Sequence, residues 1–184
     1  MAVPLFSLRS DSDFGIGEFH DLIDLADWCV VNKLKIIQLL PINDTTAYFD
    51  WHDSYPYNAI SAFALNPVYL NLQDLGVEAD KVFNEEQNQL NALPFVDYPN
   101  VLKTKWKYLK TAFVQQWETL QKSEDFKSFF AENEDWLVPY AEFCAAGFAN
   151  ALGRVFIIIS STFASHFSCC NGDLRLFKSE LEIG

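Results

Sequence analysis

The stretch from Trp51 to Pro67, WHDSYPYNAISAFALNP, concentrates residue types that could do chemistry together. Trp51, Tyr55 and Tyr57 offer flat apolar rings, and Asp53, Ser54 and Asn58 offer hydrogen-bonding groups beside them. That mixture suits a sugar. The C–H faces of a pyranose stack on aromatic rings, while carboxylate, amide and hydroxyl groups bond its hydroxyls. The same aromatics also read as residues filling a corner of the core, and composition leaves both readings open.

Other candidate chemistry is sparser. Asp13-Phe14-Gly15 is a kinase-like triplet, but the HRD and VAIK patterns that would accompany it are missing. Gly15-x-Gly17 is not a dinucleotide fingerprint, because His20 stands where the third glycine belongs. The stretch instead reads as a turn feeding a helix, with free backbone N–H groups near its start. His20, His52 and His166 have no metal-ligand spacing and read as exposed or satisfied singly. Cys29, Cys144, Cys169 and Cys170 form no CxxC pair and read as reduced thiols. No Ser-His-Asp or Cys-His set can be proposed from spacing.

The elements that must position the aromatic stretch follow from periodicity. AVPLFS at residues 2–7 is a short apolar run, followed by the turn-like RSDSDFGIG. In EFHDLIDLADWCVVNKL, Phe19, Leu22, Ile23, Ala26, Cys29 and Val30 recur at helical spacing and predict the core face of a helix. Glu18, Asp21 and Asp24 lie near its start, where the helix dipole favours negative charge. KIIQLLPI is a continuous apolar run closed by Pro41 and predicts a strand buried on both faces. Strand, helix and strand at this spacing form a βαβ unit, which implies a parallel sheet and an α/β fold.

The aromatic loop from Asn43 to Asn58 leaves the C-terminal end of that second strand, the face where parallel α/β folds bind ligands. ISAFALNPVYLNL continues in extended or irregular form to Leu72. Residues 79–121 predict helix, most clearly VLKTKWKYLKTAFVQQWETLQ. DFKSFFAENEDWLVPYAEFC predicts two short helices separated near Asn133, with Pro139 in the first turn of the second or at a break before it. The last forty residues lose all tryptophan and tyrosine and yield no assignable element.

The 184 residues suffice for a real core, and half are apolar. Charge is uneven: residues 1–100 carry 4 basic and 15 acidic side chains, a net of −11 within a total of −12. An acidic front half argues against nucleic acid and against an anionic membrane surface as partners, and does not penalise a neutral sugar. The start, MAVPLFSLRS, has no charged segment followed by a long apolar run, and the longest apolar run, from Val155, is too short to span a bilayer. The expected location is the cytoplasm.

The order FSLRS, FGIGEF, DLADW, IIQLLPINDT and DSYPYNAISAFALNPVYLNL resembles the 4-α-glucanotransferases, the amylomaltases or disproportionating enzymes of glycoside hydrolase family 77. The wording NDT followed by W-x-DSYPY is most similar to the branch containing the plant cytosolic enzyme and bacterial relatives. FKSFFAENEDWLVPYAEF is similar to the family's helical insertion. The resemblance implies a (β/α)8 TIM barrel, incomplete in this chain: barrel strands, helix and glucan-binding loops over residues 1–78, a helical insertion over 79–144, and a tail over 145–184. It implies α-1,4-glucans and maltooligosaccharides as substrates in starch, glycogen or maltose metabolism, retaining transfer between two carboxylates, and no cofactor.

By resemblance, Asp53, Ser54, Tyr57 and Asn66 take substrate-binding roles, with Ser7, Arg9 and Gly15 on the loop after the first strand as further candidates. No position matches the family's nucleophile, acid/base or third carboxylate, so the chain alone is expected to be inactive. A non-catalytic glucan-binding fragment and an unstable gene remnant are the other readings. The resemblance stops at Cys144, and the tail is expected to reflect a shifted frame or a truncation.

Overall fold

The computed structural model describes residues 1–147 and the backbone of residues 175–177. Strand β1 (Ala2–Val3), helix α1 (Asp21–Val31) and strand β2 (Ile36–Leu39) form the expected βαβ unit. The strands are parallel, with Ala2 opposite Gln38 and Val3 opposite Leu39. A third strand, β3 (Arg175–Phe177), pairs parallel with β2, placing Leu176 opposite Ile37. The sheet order is β1-β2-β3. The sequence offered no element in this last segment, and three residues carry too little pattern to show one.

The turn between β1 and α1 is held by its own polar groups. Gly15 takes a φ of +78°, and a Cβ there would lie 2.8 Å from that of Leu90. The Asp13 carboxylate accepts from the N–H groups of Ser10 and Gly15, and Asn91 Oδ1 also accepts from Gly15 N. The expected free N–H groups are therefore committed at these two positions: the aspartate of the kinase-like triplet is an Asx-turn residue. Asp21 accepts from Glu18 N at 2.6 Å at the head of α1. At its foot, Lys33 N reaches Val30 O and Leu34 N reaches Cys29 O. This is a Schellman closure with Lys33, at φ +59°, where glycine is usual.

Two burial expectations need correction. Phe19 just before α1 and Leu22 and Cys29 on it are buried and Leu25 packs against the core, whereas Ile23 and Val30 are exposed, Val30 by 63%. On β2, Ile37 is buried but Ile36 is 55% exposed. Burial alternates along β2, so the described elements cover one face of that strand and leave Ile36 and Gln38 on the other.

Helices α2 (Lys81–Asn91) and α3 (Tyr98–Leu120) lie within residues 79–121, where the periodicity predicts helix, with a break over 92–97 that the pattern did not mark. Asp80 caps α2 through Phe83 N, and Asp97 caps α3 through Asn100 N. Val101, Leu102, Lys105, Trp106, Leu109 and Ala112 form the buried stripe of α3. The expected break near Asn133 does not occur: α4 runs unbroken from Glu124 to Gly147 with Pro139 in its interior. Asn133 spends its amide along the helix, donating to Phe129 O at 2.8 Å and accepting from Trp136 Nε1 at 2.9 Å. The turn-forming tendency of its side chain is thereby used inside the helix.

One buried cluster joins Leu5, Phe14, Phe83, Leu102, Trp106 and Tyr140, so both sides of residue 78 share a core. Within it Lys105 meets Glu18 at 2.5 Å, both fully buried. Lys105 Nζ also donates to Val68 O and Leu70 O, and Asn71 donates to Glu18 Oε2. Burial raises the Glu18 carboxyl above its usual range, and Lys105 opposes that rise. With their remaining polar atoms bonded, the two charges lock the 68–71 segment between α3 and the turn before α1.

Candidate functional site

The loop over residues 43–66 is closed at its base by backbone bonds. Asn43 bridges Leu65. Asp44 N donates to Ala64 O, Ile60 N to Asp44 O, and Asn66 N to Ile42 O. A loop this long buries peptide groups that no sheet or helix satisfies, so side chains must do it. Asp53 is buried to 1% exposure, and its carboxylate accepts from Tyr48 N and Phe49 N, the latter at 2.7 Å. Its carbonyl accepts from Thr45 Oγ1. Asn66, equally buried, accepts from Val68 N and donates to Thr45 Oγ1 and the Tyr98 hydroxyl.

A second buried carboxylate, Asp44, ties the loop to α4. Its Oδ2 accepts from the Tyr140 hydroxyl at 2.6 Å and its Oδ1 from Thr46 N at 2.9 Å. Burial pushes the Asp44 carboxyl up to about 6, the bonds from Tyr140 and Thr46 pull it down, and Asp53 adds like-charge repulsion. The same burial, with Asp44 nearby, pushes the Cys144 thiol up to about 12.

The outer face is aromatic. Tyr48, Trp51 and Tyr55 are 68%, 54% and 62% exposed, so they are not corner-filling core residues. With Asp50, His52 and Asn58 they line an open groove of about 650 Å³. The turn that presents them, Trp51–Ser54, is a 3-10 turn capped by Asp50, whose side chain accepts from His52 N. Tyr57 is exposed beside the groove, its ring centroid 5.6 Å from that of Tyr55.

The residues singled out from sequence therefore separate. Asp53 and Asn66 lie inside the loop with their polar groups engaged. Ser54 Oγ donates to Trp51 O at 2.8 Å, and Tyr57 stands at the surface. Ser7 Oγ donates to Pro4 O, and Arg9 donates to Gly15 O and Asn91 O. Ser7, Arg9 and Gly15 are not among the groove's lining residues. Sequence reasoning did not select Tyr48 or Asp50 for the groove, nor Asp44 and Tyr140 as its anchor. Asp50-x-His52 was legible as a spacing, whereas the pairing of Asp44 with a tyrosine 96 positions away was not.

His20 pairs with Asp74 at 3.0 Å and His52 with Asp50 at 2.8 Å. Cys29 and Cys144 are free and buried. His166, Cys169, Cys170 and most of the tail over 145–184, with its expected frame shift or truncation, lie outside the described residues. Among the described residues no cluster of three His, Cys, Asp or Glu could hold a metal, and no helix is long and apolar enough to cross a membrane. Of the groove's lining residues only Asp50 carries a carboxylate, and His52 engages its Oδ1. The arrangement can bind a neutral, hydroxyl-rich ring against aromatic faces. It does not set two carboxylates across a bond.

Comparison with known proteins gives a consistent family. The family model for glycoside hydrolase 77, 4-alpha-glucanotransferase, matches residues 3–154, running past Cys144. Over 149 residues the chain is 44% identical to 4-alpha-glucanotransferase DPE2 of Oryza sativa subsp. japonica, covering 78% of this chain and 16% of that protein. It is 41% identical over 149 residues to a 4-alpha-glucanotransferase of Chlamydia caviae, covering 78% and 27%. The crystal structure of amylomaltase from Corynebacterium glutamicum superposes with a TM-score of 0.74 at 17% identity, covering 91% of this chain and 27% of that one. The chain thus spans a minor part of the length of these relatives.

Proposed function

We propose a function from one premise: this chain belongs to the glycoside hydrolase 77 family, the 4-alpha-glucanotransferases. It supplies the opening segment of a (β/α)8 barrel whose loop over residues 43–66 binds α-1,4-glucan chains. The reaction it serves is transfer of a glucan segment between maltooligosaccharides, in starch, glycogen or maltose metabolism. In a retaining mechanism one carboxylate attacks the anomeric carbon and a second acts as acid and then base. The family model and the relatives' names support the substrate class. The exposed aromatic groove carries the binding part: Trp51, Tyr48 and Tyr55 stand in solvent on a loop whose interior is stapled by buried side chains.

The same geometry supports the reading that this segment binds without catalysing. Asp44 and Asp53 are the buried carboxylates beneath the groove, and both are engaged as acceptors within the fold. Removing both reacting carboxylates from such an enzyme costs many orders of magnitude in rate. Free buried thiols at Cys29 and Cys144 support a reducing, cytoplasmic setting. The excess of acidic side chains supports neutral glucans over nucleic acid or anionic membranes.

The test is a titration of the full chain with maltoheptaose, paired with incubation on maltotriose. Saturable binding that weakens in Trp51→Ala, without formation of longer or shorter oligomers, is the expected result. Disproportionation of maltotriose by the pure chain would sink the non-catalytic reading. A broad, non-cooperative melt without binding would favour the unstable-remnant reading.

A further inference from the structure

Within the groove, the Asp50–His52 pair has chemistry that aromatic stacking does not use. Asp50 Oδ1 receives two bonds from the same residue, one from His52 N and one from His52 Nδ1, each at 2.8 Å. A carboxylate oxygen only accepts, so Nδ1 carries the proton. The other ring nitrogen, Nε2, is then an acceptor whenever the imidazole is neutral. The two bonds from His52 hold the Asp50 carboxyl below its usual range, which keeps it ionised as the fixed partner. The His52 ring sits exposed with its centroid 5.8 Å from that of Tyr48, among the groove's aromatic faces.

The groove's polar supply explains why this matters. A glucose unit presents several hydroxyls that donate as well as accept. Asp50 Oδ1 is already doubly engaged, which leaves Asp50 Oδ2 and His52 Nε2 as the acceptors of the pair, and Nε2 has no partner among the described residues. The His52 side chain is not one of the loop's structural staples, and Asp50 caps only the Trp51–Ser54 turn, since Asp44, Asp53 and Asn66 hold the loop below.

We infer that His52 is a glucan-binding residue, with Asp50 as its positioning residue. Asp50 fixes the imidazole so that Nε2 accepts a hydroxyl of an α-1,4-glucan lying on Trp51, Tyr48 and Tyr55. This rests on the glucan-binding reading of the groove and adds a directed polar contact to it.

The experiment uses the full chain labelled with nitrogen-15, maltoheptaose as probe, and long-range proton–nitrogen spectra that report which ring nitrogen is protonated. The wild type is expected to show the Nδ1–H tautomer, and its Nε2 resonance to move on saturation. His52→Phe keeps a ring and loses the acceptor, and is expected to weaken binding roughly fivefold, the size of one hydrogen bond. Asp50→Ala is expected to release the tautomer and weaken binding similarly. Asp50→Asn retains an acceptor oxygen and is expected to restore both. Melting curves establish that each variant folds.

If Trp51→Ala weakens binding while His52→Phe binds like wild type, or if Nε2 stays unmoved, the His52 assignment is overturned and the groove reading stands. If the folded wild type does not bind maltoheptaose, both are overturned.

Discussion

The inner and outer faces of the loop over residues 43–66 contrast in a way that reverses intuition about polarity. The inner face is polar and buried: Asp44, Thr45, Asp53 and Asn66 bond the loop's own amides and the hydroxyls of Tyr98 and Tyr140. The outer face is aromatic and exposed, with Tyr48, Trp51, Tyr55 and Tyr57 in solvent. The residues that look like chemistry thus build the scaffold, and those that look like core stand where a ligand can reach them. The cause is that an irregular backbone cannot satisfy its own amides, so polar side chains are drawn inward. Rigid support from below lets aromatic rings be held in water without collapsing on each other.

The largest expected break in this contrast is Asp53→Ala. It strips acceptors from Tyr48 N and Phe49 N, both held against a buried position, and is expected to cost about 3 kcal/mol in a denaturant melt. An effect below about 1 kcal/mol would mean the inner face is not the scaffold described.

Asp44→Asn is next, and pH exposes it. The folded carboxyl titrates at about 6 against 3.8 for its ordinary value. A raised pKa means the neutral form suits the fold, so this stability is fully present below about 3.8 and is lost as pH rises through 6. A rise from 3.8 to about 6 corresponds to roughly 3 kcal/mol at most. Asp44→Asn is expected to be the more stable protein at pH 8, with its advantage vanishing towards pH 4. Parallel melting curves of wild type and variant across that range read it, and parallel slopes would refute it.

Tyr140→Phe removes the donor to Asp44 from α4 and is expected to cost on the order of 1–2 kcal/mol at pH 7. The loss shrinks at pH 4, where the carboxyl is neutral. The smallest effect on stability falls on the outer face. Trp51→Ala is expected to stay within about 0.5 kcal/mol of wild type in a melt while weakening glucan binding. A Trp51→Ala variant that melts as poorly as Asp53→Ala would erase the distinction between the faces.

Legibility followed the same division. The βαβ unit, α2 and α3 were readable because long amphipathic segments repeat their pattern; the stripe from Val101 to Ala112 is buried as its spacing requires. Helix α4 was misread because Asn133 and Pro139 are local breakers, and neither outweighed the rest of the 24-residue helix. On α1, the pattern identified a helix but not how much of its apolar stripe is covered. The groove was half legible: residue types in WHDSYPY announced aromatic and polar chemistry, but a loop has no period to say which side chains turn in.

By itself the sequence determined the βαβ entry into a parallel sheet, the helical middle and the family, because these rest on repeated spacing and on ordered motifs. Only the tertiary structure decided that Asp53 and Asn66 turn inward, that Asp44 meets Tyr140 across 96 positions, and that Asp50 steers His52 towards a groove. Those outcomes depend on where buried amides and carboxylates find partners. That is a property of the closed fold and not of any short stretch of chain.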